Sequence, residues 1–408
     1  MIPRLRPEMG WAELAAAFTL PAKDDVERFE TSFAELMGQK HAIAFPYGRT
    51  GLALLLEAMG VEGREVICPA YTCVVVAHAI VASGNEPVFV DSQEADFNMN
   101  LDRVEELITE KTGAIVATSL FGYPVDLERL GQIRSRHAGI RIIQDCAHSF
   151  TASWRSRPVQ KAGDAAVFGL NISKLIHSIF GGMITTDRDD LASELRRLRG
   201  RKLSEPGWSK SWRRRFYLAA ASAAFAGPAY GWVHALERAG LLSRFVDYYD
   251  EAVIQMPEDY LVGLTRVEAR VGQAQIARYG EIIRKRRQAA AFYDEHLRGV
   301  PGLRLPPLVE GATYSHYVPR IERREELIRF AFRHGVQLGR LIEYSIPEMT
   351  AYRAREGSRV PCPVAGQLAR TAVNLPVWGS PSGWRHKVVH VIRKWSESTS
   401  KINEIAGR

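Results

Sequence analysis

Short apolar runs alternate with amphipathic stretches from residue 66 to residue 186, and this alternation constrains the fold more than any other feature of the chain. The apolar runs predict buried strands, and LDRVEELITE and VDLERLGQIRSRHA predict two of the helices between them. Strands and helices that alternate in this way form a mostly parallel sheet sandwiched by helices, a three-layer α/β arrangement. The predicted strands are 65–68, 87–91, 114–117, 140–144, 165–168 and 183–185.

Two residues that follow predicted strands indicate the chemistry. Asp145 comes directly after the predicted strand 140–144, which is the usual position of a ligand-binding side chain in an open α/β sheet. Lys174 lies 29 positions further on, after the run 165–168. Lysine forms a Schiff base with an aldehyde cofactor, and a carboxylate keeps a pyridine nitrogen protonated so that the ring accepts electrons. The pair predicts a pyridoxal phosphate site in which Lys174 also carries the proton of the reaction.

Both residues also have a structural interpretation that the sequence leaves open. An aspartate after a strand often caps the next helix, and a lysine that follows a serine is usually a solvated surface residue. The context favours catalysis for Lys174, because this residue stands between an apolar strand and the glycine pair 181–182.

Six sequence blocks carry a resemblance to a known family. They are FPYGRTGLALLLEAMG, EVICPAYTCVVVAHAIVASGNEPVFVD, NMNLDRVEELITEKTGAIVATSLFGYPVDLERL, IIQDCAHSF, GDAAVFGLNISK and GGMITTD. In this order they resemble the DegT/DnrJ/StrS family, the sugar aminotransferases among the fold-type I pyridoxal phosphate enzymes, and the match extends from about residue 45 to residue 376. Agreement of several blocks in sequence is specific, whereas one block alone would be weak.

The resemblance implies the fold-type I architecture, with a smaller α+β domain at the C-terminal end. We expect a large domain that binds pyridoxal phosphate over residues 1–264, with an atypical helical insert at about 205–262. Residues 265–408 are expected to hold the small domain and a long linking helix, which ends at the breakers near Gly299 and Pro301. A homodimer is also implied, because sites in this family are completed by the neighbouring subunit.

The phosphate end of the expected cofactor site lies at Gly48, Arg49 and Thr50. These residues start an apolar helix, so their backbone N–H groups can point at a dianion along the positive end of the helix dipole. A glycine turn that only caps the helix is the alternative. The family usually has a serine five residues before the lysine, and this chain has Gly169 there. The resemblance therefore implies heavier reliance on Arg49, Thr50 and other residues, with Asn171 as a candidate.

The resemblance also assigns residues to the cofactor ring. His148 matches a family position that carries Gln or His close to the phenolic oxygen, although a structural histidine is the alternative. Cys73 stands where the family most often has an aromatic residue against the ring, and Tyr71 lies two residues earlier on the same face. Either residue is expected to cover the ring. Ile179 and Phe180 stand where the family commonly has a Gly-Glu pair. This change concerns which acceptor the site binds and not which cofactor.

Acceptor contacts are expected in two C-terminal segments, ATYSHYVPRI and GVQLGRLIEYSIPEM, which resemble the family segments at the mouth of the site. The candidates are Tyr314, His316, Arg340 and Tyr344. Their polar side chains could equally be solvated surface groups.

The net charge of +8 and the isoelectric point near 9.3 do not indicate nucleic-acid binding, because the basic residues are interspersed with many acids. Anionic substrates, phosphate or a membrane surface fit this charge better. Four cysteines without a paired zinc spacing and without a secretory signal predict reduced thiols, no metal site and a cytoplasmic protein.

Residues 216–236 form a stretch of 21 positions without Asp, Glu, Lys or Arg, which is long enough to meet a membrane. Eight alanines and Pro228 argue against a span and favour a packed helical hairpin, at a subunit interface or over the site. Trp212 and the arginines 213–215 leave two alternatives open, a peripheral membrane contact through 212–236 and the binding of a substrate diphosphate.

These observations predict an aminotransferase that moves an amino group from an amino acid, L-glutamate, to a keto group on a nucleotide-linked or related sugar, as in surface polysaccharide or glycoconjugate biosynthesis. Two other functions stay open. One is a different pyridoxal phosphate reaction, a dehydration or a transfer to a non-sugar ketone, which the changes at Gly169, Cys73 and Ile179-Phe180 favour. The resemblance counts against dehydration, because the dehydrase relatives replace the lysine that this chain keeps. The other is a non-catalytic binding or regulatory protein with the same fold.

Overall fold

The structure is a computed structural model that describes residues 1–225, 250–379 and 382–406. Its strands in chain order are β1 (His41–Phe45), β2 (Glu65–Pro69), β3 (Glu86–Val90), β4 (Thr112–Thr118), β5 (Arg141–Asp145), β6 (Ser153–Trp154), β7 (Arg157–Pro158), β8 (Ala165–Gly169) and β9 (Gly182–Thr186). A seven-stranded sheet has the order β3-β2-β4-β5-β8-β9-β1, and β6 pairs with β7 in a separate small hairpin.

The direction of the strands determines where a site can form. Strands β3, β2, β4, β5 and β8 run parallel to one another, whereas β9 runs antiparallel to both β8 and β1. The carboxyl ends of parallel strands meet at one edge of a sheet, and ligands bind at that edge in open α/β folds. The register pairs Thr118 with Asp145 at this edge, where β4 and β5 end side by side.

Helices cover both faces of the sheet. They are α1 (Trp11–Phe18), α2 (Asp25–Met37), α3 (Gly48–Ala58), α4 (Val75–Ala82), α5 (Leu101–Leu107), α6 (Leu127–Arg136), α7 (Asp189–Lys202), α8 (Trp208–Ala224), α9 (Arg266–Leu297), α10 (Arg324–Arg333), α11 (Pro363–Thr371) and α12 (Ser382–Ala406). Side chains alternate across a strand, so Ile43 and Phe45 enter one core with α3, α4 and α7, while Ala42 and Ala44 enter the other with α2, α6 and α9. This arrangement confirms the three-layer α/β fold.

The predicted strands are present, each with ends within two residues of the prediction. The helices predicted at 101–110 and 125–138 are also present, but they are shorter, at Leu101–Leu107 and Leu127–Arg136. Strand β1 was not predicted. The antiparallel direction of β9 was not predicted either, because an apolar run has the same period in both directions.

A single long helix, α9, begins the C-terminal part of the chain. A capping box starts it, since the Thr265 hydroxyl accepts the Glu268 N–H at 3.1 Å and the Glu268 carboxylate accepts the Thr265 N–H at 2.8 Å. The helix packs against α1 and α2 and ends at Leu297, just before the expected breakers. Between residues 298 and 379 the structure shows helices α10 and α11 with isolated antiparallel bridges, such as Tyr317 to Leu375. The expected domain division at residue 264 stays a prediction.

Helix α8 covers the start of the uncharged stretch at 216–236 and ends at Ala224. The rest of that stretch, 226–236, lies outside the described residues, so the predicted hairpin stays a prediction. The two ends of the insert are held together, because the Ser204 N–H donates to Leu261 O and the Gly263 N–H donates to Ser204 O, each at 2.9 Å. Within the ranges that the structure describes, no helix combines the length and apolar character that crossing a membrane requires.

Candidate active site

The Asp145 side chain lies buried at the end of β5. It is 5% exposed, and its Oδ2 accepts a hydrogen bond from the Thr118 hydroxyl at 3.1 Å. Its Oδ1 accepts the Ala147 N–H at 3.0 Å, which closes a turn. No helix begins in residues 146–152, so this aspartate does not act as a helix cap. The carboxylate is oriented by its neighbours and faces the edge of the sheet where ligands bind.

Lys174 lies in the loop between β8 and β9, near Asp145 and Cys73. Burial lowers the pKa of the Lys174 amine, and electrostatic interactions with the Cys73 thiol and the Asp145 carboxylate partly oppose this change. Burial raises the pKa of the Asp145 carboxyl, while the Ala147 N–H and the charge of Lys174 lower it. No described cation forms an ion pair with Asp145. The two predicted residues therefore share one site, in which Asp145 is buried and Lys174 is half-buried.

The loop that carries Lys174 is held by its own polar groups. The Asn171 side-chain oxygen accepts hydrogen bonds from the Ser173 N–H at 3.0 Å and the Ser173 hydroxyl at 2.6 Å. The Lys174 N–H donates to Asn171 O at 2.9 Å. At the base of the loop, the Leu170 N–H donates to Gly181 O, also at 2.9 Å. Asn171 thus shapes the turn that presents Lys174 and keeps its amide NH₂ available for another partner.

His148 is buried beside the same two residues. Its Nδ1 accepts the Phe121 N–H at 3.3 Å, so a neutral imidazole carries its hydrogen on Nε2. Burial lowers the pKa of His148 well below the usual range, and the charges of Lys174 and His316 lower it further. The ring stacks on Phe121 with a tilt of 14°, and its centroid is 5.1 Å from that of His316. His148 is therefore a neutral group that can donate a hydrogen bond through Nε2.

Three glycines bring the start of α3 against the end of β8. A Cβ atom on Gly182 would overlap the main chain of Tyr47 and Gly48, and one on Gly48 would lie 3.1 Å from the Gly169 Cα. A Cβ atom on Gly169 would meet only the Lys174 Cε at 3.6 Å and Ala147 Cβ at 3.7 Å, which are ordinary contacts. The first turn of α3 therefore lies close to Lys174, and its free N–H groups form an anion-binding end at this point.

Arg49 and Thr50, the second and third residues of α3, differ in what they can offer an anion. The Thr50 hydroxyl donates to Tyr260 O at 3.0 Å, so its hydrogen is already used. Arg49 is partly buried and forms no ion pair with a described carboxylate. Burial lowers its pKa, while the charges of Cys73, Tyr47 and Tyr344 raise it. The Arg49 guanidinium is the more available of the two side chains.

Of the two candidates for the face of the ring, Cys73 is closer to the charged groups of the site. Its thiol interacts electrostatically with both Lys174 and Arg49, and its side chain is partly exposed. Tyr71 is fully buried, its hydroxyl donates to Ile342 O at 3.4 Å, and its ring packs edge-on against Phe121. The role of either residue toward a cofactor stays a prediction.

The four predicted acceptor residues fall into two pairs. His316 contacts His148, and the Tyr344 hydroxyl accepts the Val74 N–H at 3.0 Å near Arg49. The Tyr314 hydroxyl is bonded to the Val309 main chain, accepting its N–H at 2.7 Å and donating to its O at 3.1 Å. Arg340 forms ion pairs with Glu325 and with Glu343, the latter at 3.2 Å. Only His316 and Tyr344 are placed next to other predicted site residues.

Several residues of the site were not predicted. Phe121 has a left-handed backbone with φ of 56°, and its N–H fixes the His148 ring. Arg286 of α9 is 2% exposed and donates to Ser315 O at 2.5 Å. Burial lowers the pKa of His316, and the charge of Arg286 lowers it further. The described residues contain no cluster of side chains suited to a metal ion.

A family model described as the DegT/DnrJ/EryC1/StrS aminotransferase family matches residues 13–393. The chain belongs to this family. The membership confirms the predicted family, and with it an enzyme of the aminotransferase class. The family also implies pyridoxal phosphate as the cofactor.

Two curated relatives show how far the similarity extends. The dTDP-3-amino-3,4,6-trideoxy-alpha-D-glucose transaminase of Micromonospora megalomicea subsp. nigra is 27% identical over 93% of this chain and 91% of its own length. The GDP-perosamine synthase of Caulobacter vibrioides is 39% identical over 43% of this chain and 47% of its own length. The match with the synthase therefore spans about half of that protein.

Solved structures of the family have the same fold. The aminotransferase TlmJ from Streptoalloteichus hindustanus superposes with a TM-score of 0.77 at 25% identity, over 98% of this chain and 100% of its own. PseC from Helicobacter pylori has a TM-score of 0.76 at 18% identity, over 97% of this chain and 99% of its own. These similarities confirm the fold-type I architecture.

Proposed function

We propose that this aminotransferase uses pyridoxal phosphate to move an amino group from L-glutamate to a keto group on a nucleotide-linked or related sugar, in the synthesis of a surface polysaccharide or glycoconjugate. The observation that carries the proposal is the buried Asp145 carboxylate, which lies near Lys174 and forms no ion pair with a described cation. A carboxylate in that setting fits the protonated ring nitrogen of the cofactor.

The remaining residues fit the rest of the cofactor. Lys174 would bind the aldehyde carbon, and the first turn of α3 from Gly48, with the Arg49 guanidinium, would bind the phosphate. His148 Nε2 would donate to the phenolic oxygen, and Cys73 would lie against the ring. Asn171 would hold the loop of Lys174 and offer its amide NH₂ to the phosphate. Tyr71 and Thr50 would support the site from the core through their bonds to Ile342 and Tyr260.

Bound pyridoxal phosphate supplies an electron sink and a carrier for the amino group. Lys174 would take the proton from the α-carbon of the amino donor with its Nζ, because burial lowers its pKa and leaves more of the amine neutral near pH 7. Asp145 would stay ionised opposite the ring nitrogen, since a positive partner outweighs the cost of its burial. Thr118 and Ala147 hold its two oxygens in place for that contact.

The substrates are proposed from the relatives and from the charges near the site. Two relatives are named for a GDP-linked and a dTDP-linked sugar, and a third, from Bacillus subtilis, is named as a spore coat polysaccharide biosynthesis protein. We assign the acceptor side of the site to His316 and Tyr344, because these two lie beside His148 and Arg49. Tyr314 and Arg340 remain weaker candidates, since the Tyr314 hydroxyl is bonded to the Val309 main chain and the Arg340 guanidinium is paired with Glu325 and Glu343.

Three further features of the proposal concern organisation. We propose a homodimer, as implied by the family, and the division into residues 1–264 and 265–408. All four cysteines are free thiols, which supports the reducing cytoplasm as the compartment. Light scattering of the purified protein tests the dimer directly.

The proposed reaction is tested by the visible absorption spectrum. Purified protein with added pyridoxal phosphate should show the band of a lysine-bound cofactor, and glutamate should convert that band to the one of pyridoxamine phosphate. Addition of a nucleotide-linked ketosugar should restore the first band. A band that glutamate leaves unchanged would contradict the proposed donor, and the lack of any band would point to a non-catalytic protein.

A further inference from the structure

The outer side of α8 carries three aromatic residues one helical turn apart. Trp208, Trp212 and Phe216 are 78%, 44% and 64% exposed, and their spacing of four residues places them along one stripe. The rings of Trp212 and Phe216 stack, with centroids 5.7 Å apart and a tilt of 29°. We call these three residues the aromatic stripe. Large aromatic side chains so exposed on a regular helix indicate a binding surface.

The inner side of the same helix is firmly attached to the fold. Arg214 pairs with Asp259 at 3.0 Å and with the fully buried Glu268 at 2.8 Å. Lys210 is 3% exposed and donates to Val262 O at 2.8 Å, and Leu218 is fully buried. The aromatic stripe is therefore the outer face of an anchored helix and not the end of a frayed one.

Helix α1, which contacts α8, carries further exposed apolar residues. The Arg215 side chain donates to Ala17 O at 2.7 Å, which joins α8 to the last turn of α1. Trp11 of α1 is 86% exposed, Phe18 is 52% exposed, and Leu20 just beyond the helix is 90% exposed. Two helices that contact each other, α1 and α8, thus both carry exposed aromatic side chains.

The charged residues that α8 itself carries have a single sign. No Asp or Glu occurs between residues 206 and 236. The Arg215 guanidinium lies 5.0 Å from the centroid of the Trp212 ring, and Arg213 is exposed without an ion pair among the described residues. Tryptophan beside arginine is the combination that lies at the headgroup level of bilayers, where the ring meets the acyl boundary and the cation meets phosphate.

We propose that the aromatic stripe of α8, with the exposed residues of α1, docks this enzyme on the surface of an anionic lipid bilayer. A second copy of the chain fits this surface less well, because a symmetric dimer through α8 would bring two basic, acid-free helices together. An anionic bilayer provides both the apolar layer for the rings and the negative charge for Arg213. The docking is independent of the proposed reaction.

Sedimentation with lipid vesicles tests the proposal. The full-length protein should sediment with vesicles of phosphatidylcholine and phosphatidylglycerol, much less with phosphatidylcholine alone, and less at high salt. The variant Trp208→Ser/Trp212→Ser/Phe216→Ser should lose about tenfold or more in partitioning, since it removes the apolar area that enters the bilayer. Arg213→Glu, a change of an exposed residue that leaves the stripe intact, should weaken binding to the anionic vesicles only.

A matched control distinguishes docking through the aromatic stripe from nonspecific hydrophobic binding. Leu308→Ser/Leu341→Ser removes side chains that are 48% and 37% exposed elsewhere, and it should sediment like the unaltered protein. Failure of the unaltered protein to bind the anionic vesicles would overturn the proposal, and so would unchanged binding of both Arg213→Glu and the stripe variant. If the unaltered protein does not bind vesicles and the stripe variant dissociates an oligomer, the surface belongs to an interface with a second copy of the chain.

Discussion

The Thr118 hydroxyl donates a hydrogen bond to Oδ2 of Asp145 across 3.1 Å, at the point where β4 and β5 end side by side. The other oxygen of this carboxylate accepts the Ala147 N–H at 3.0 Å. The orientation of the carboxylate therefore depends on strand register and on one turn. A buried acid held in this way can keep a fixed position opposite a cationic ligand.

Removal of the carboxylate should nearly abolish the half-reaction with glutamate. We expect Asp145→Ala to slow this step by roughly two to three orders of magnitude, because an electrostatic partner in a dry site is lost. Stopped-flow absorbance with pyridoxal phosphate and glutamate measures the step. Full activity in this variant would leave Asp145 with only its structural role in the turn.

Removal of the Thr118 hydroxyl should have a smaller effect through the same carboxylate. Thr118→Val keeps the shape and loses one charge-assisted hydrogen bond, so we expect the half-reaction to slow about tenfold. In the Asp145→Ala background the Thr118 change should add nothing, because its partner is already gone. Additive losses in the double variant would show that Thr118 acts independently of Asp145.

Lys174 is predicted to be the residue that binds the cofactor covalently. Lys174→Ala should fold normally and yield no borohydride-reducible adduct with pyridoxal phosphate, as measured by mass spectrometry. Lys111→Ala, at an exposed position, serves as the control and should keep the adduct. An adduct at the normal level in Lys174→Ala would assign the covalent link to another lysine.

A serine at position 169 should strengthen binding of the cofactor phosphate. There is room for it, because a Cβ atom on Gly169 makes only ordinary contacts, the nearest at 3.6 Å. One added hydrogen bond to a dianion is worth about 1.5–3 kcal/mol, so we expect Gly169→Ser to lower the dissociation constant about tenfold or more. Gly169→Ala is the control for the added carbon alone. Fluorescence titration with pyridoxal phosphate would show equal affinities for the two variants if Arg49 already satisfies the phosphate.

His177 should make the protein less stable in acid. The residue is fully buried, and burial lowers its pKa from 6.5 to about 4. Between these values the unfolded chain binds a proton that the folded chain does not, so the free energy of unfolding falls as the pH falls through this window. The loss is up to about 3 kcal/mol for this group. Asp145 acts in the opposite direction, since burial raises its pKa.

Urea unfolding at pH 7 and pH 4.5 compares the unaltered protein with His177→Gln. The variant should lose less stability between the two pH values, whereas His390→Gln, at an exposed position, should behave like the unaltered protein. An identical loss in His177→Gln and the unaltered protein would mean that His177 is protonated within the fold.

The sheet was predictable from the sequence because buried parallel strands are short apolar runs bounded by turns. Strand β1 was missed, since HAIAF is brief and stands directly before the turn at Gly48, which was interpreted as part of the phosphate site. The order of the strands, with β9 antiparallel between β8 and β1, depends on contacts between distant parts of the chain. Periodicity contains no information about such contacts.

The residues of the site also divide into those that the sequence predicts and those that depend on contacts between distant parts of the chain. Asp145 and Lys174 were predicted because each stands after a strand in a recognisable block. Thr118 was missed, since its contact with Asp145 follows from the register of β4 against β5. Phe121 and Arg286 reach the site through a left-handed turn and a helix from the C-terminal part, for which the sequence offered no local signal.

Two glycines beside the first turn of α3 have opposite consequences for anyone who wishes to redesign this enzyme. At Gly182 any side chain would collide with the main chain of Tyr47 and Gly48, so a library that varies this position would consist mostly of unfolded protein. At Gly169, only one strand away, small side chains fit beside Lys174. Directed evolution of cofactor retention or of substrate range should therefore randomise position 169 and leave position 182 unchanged.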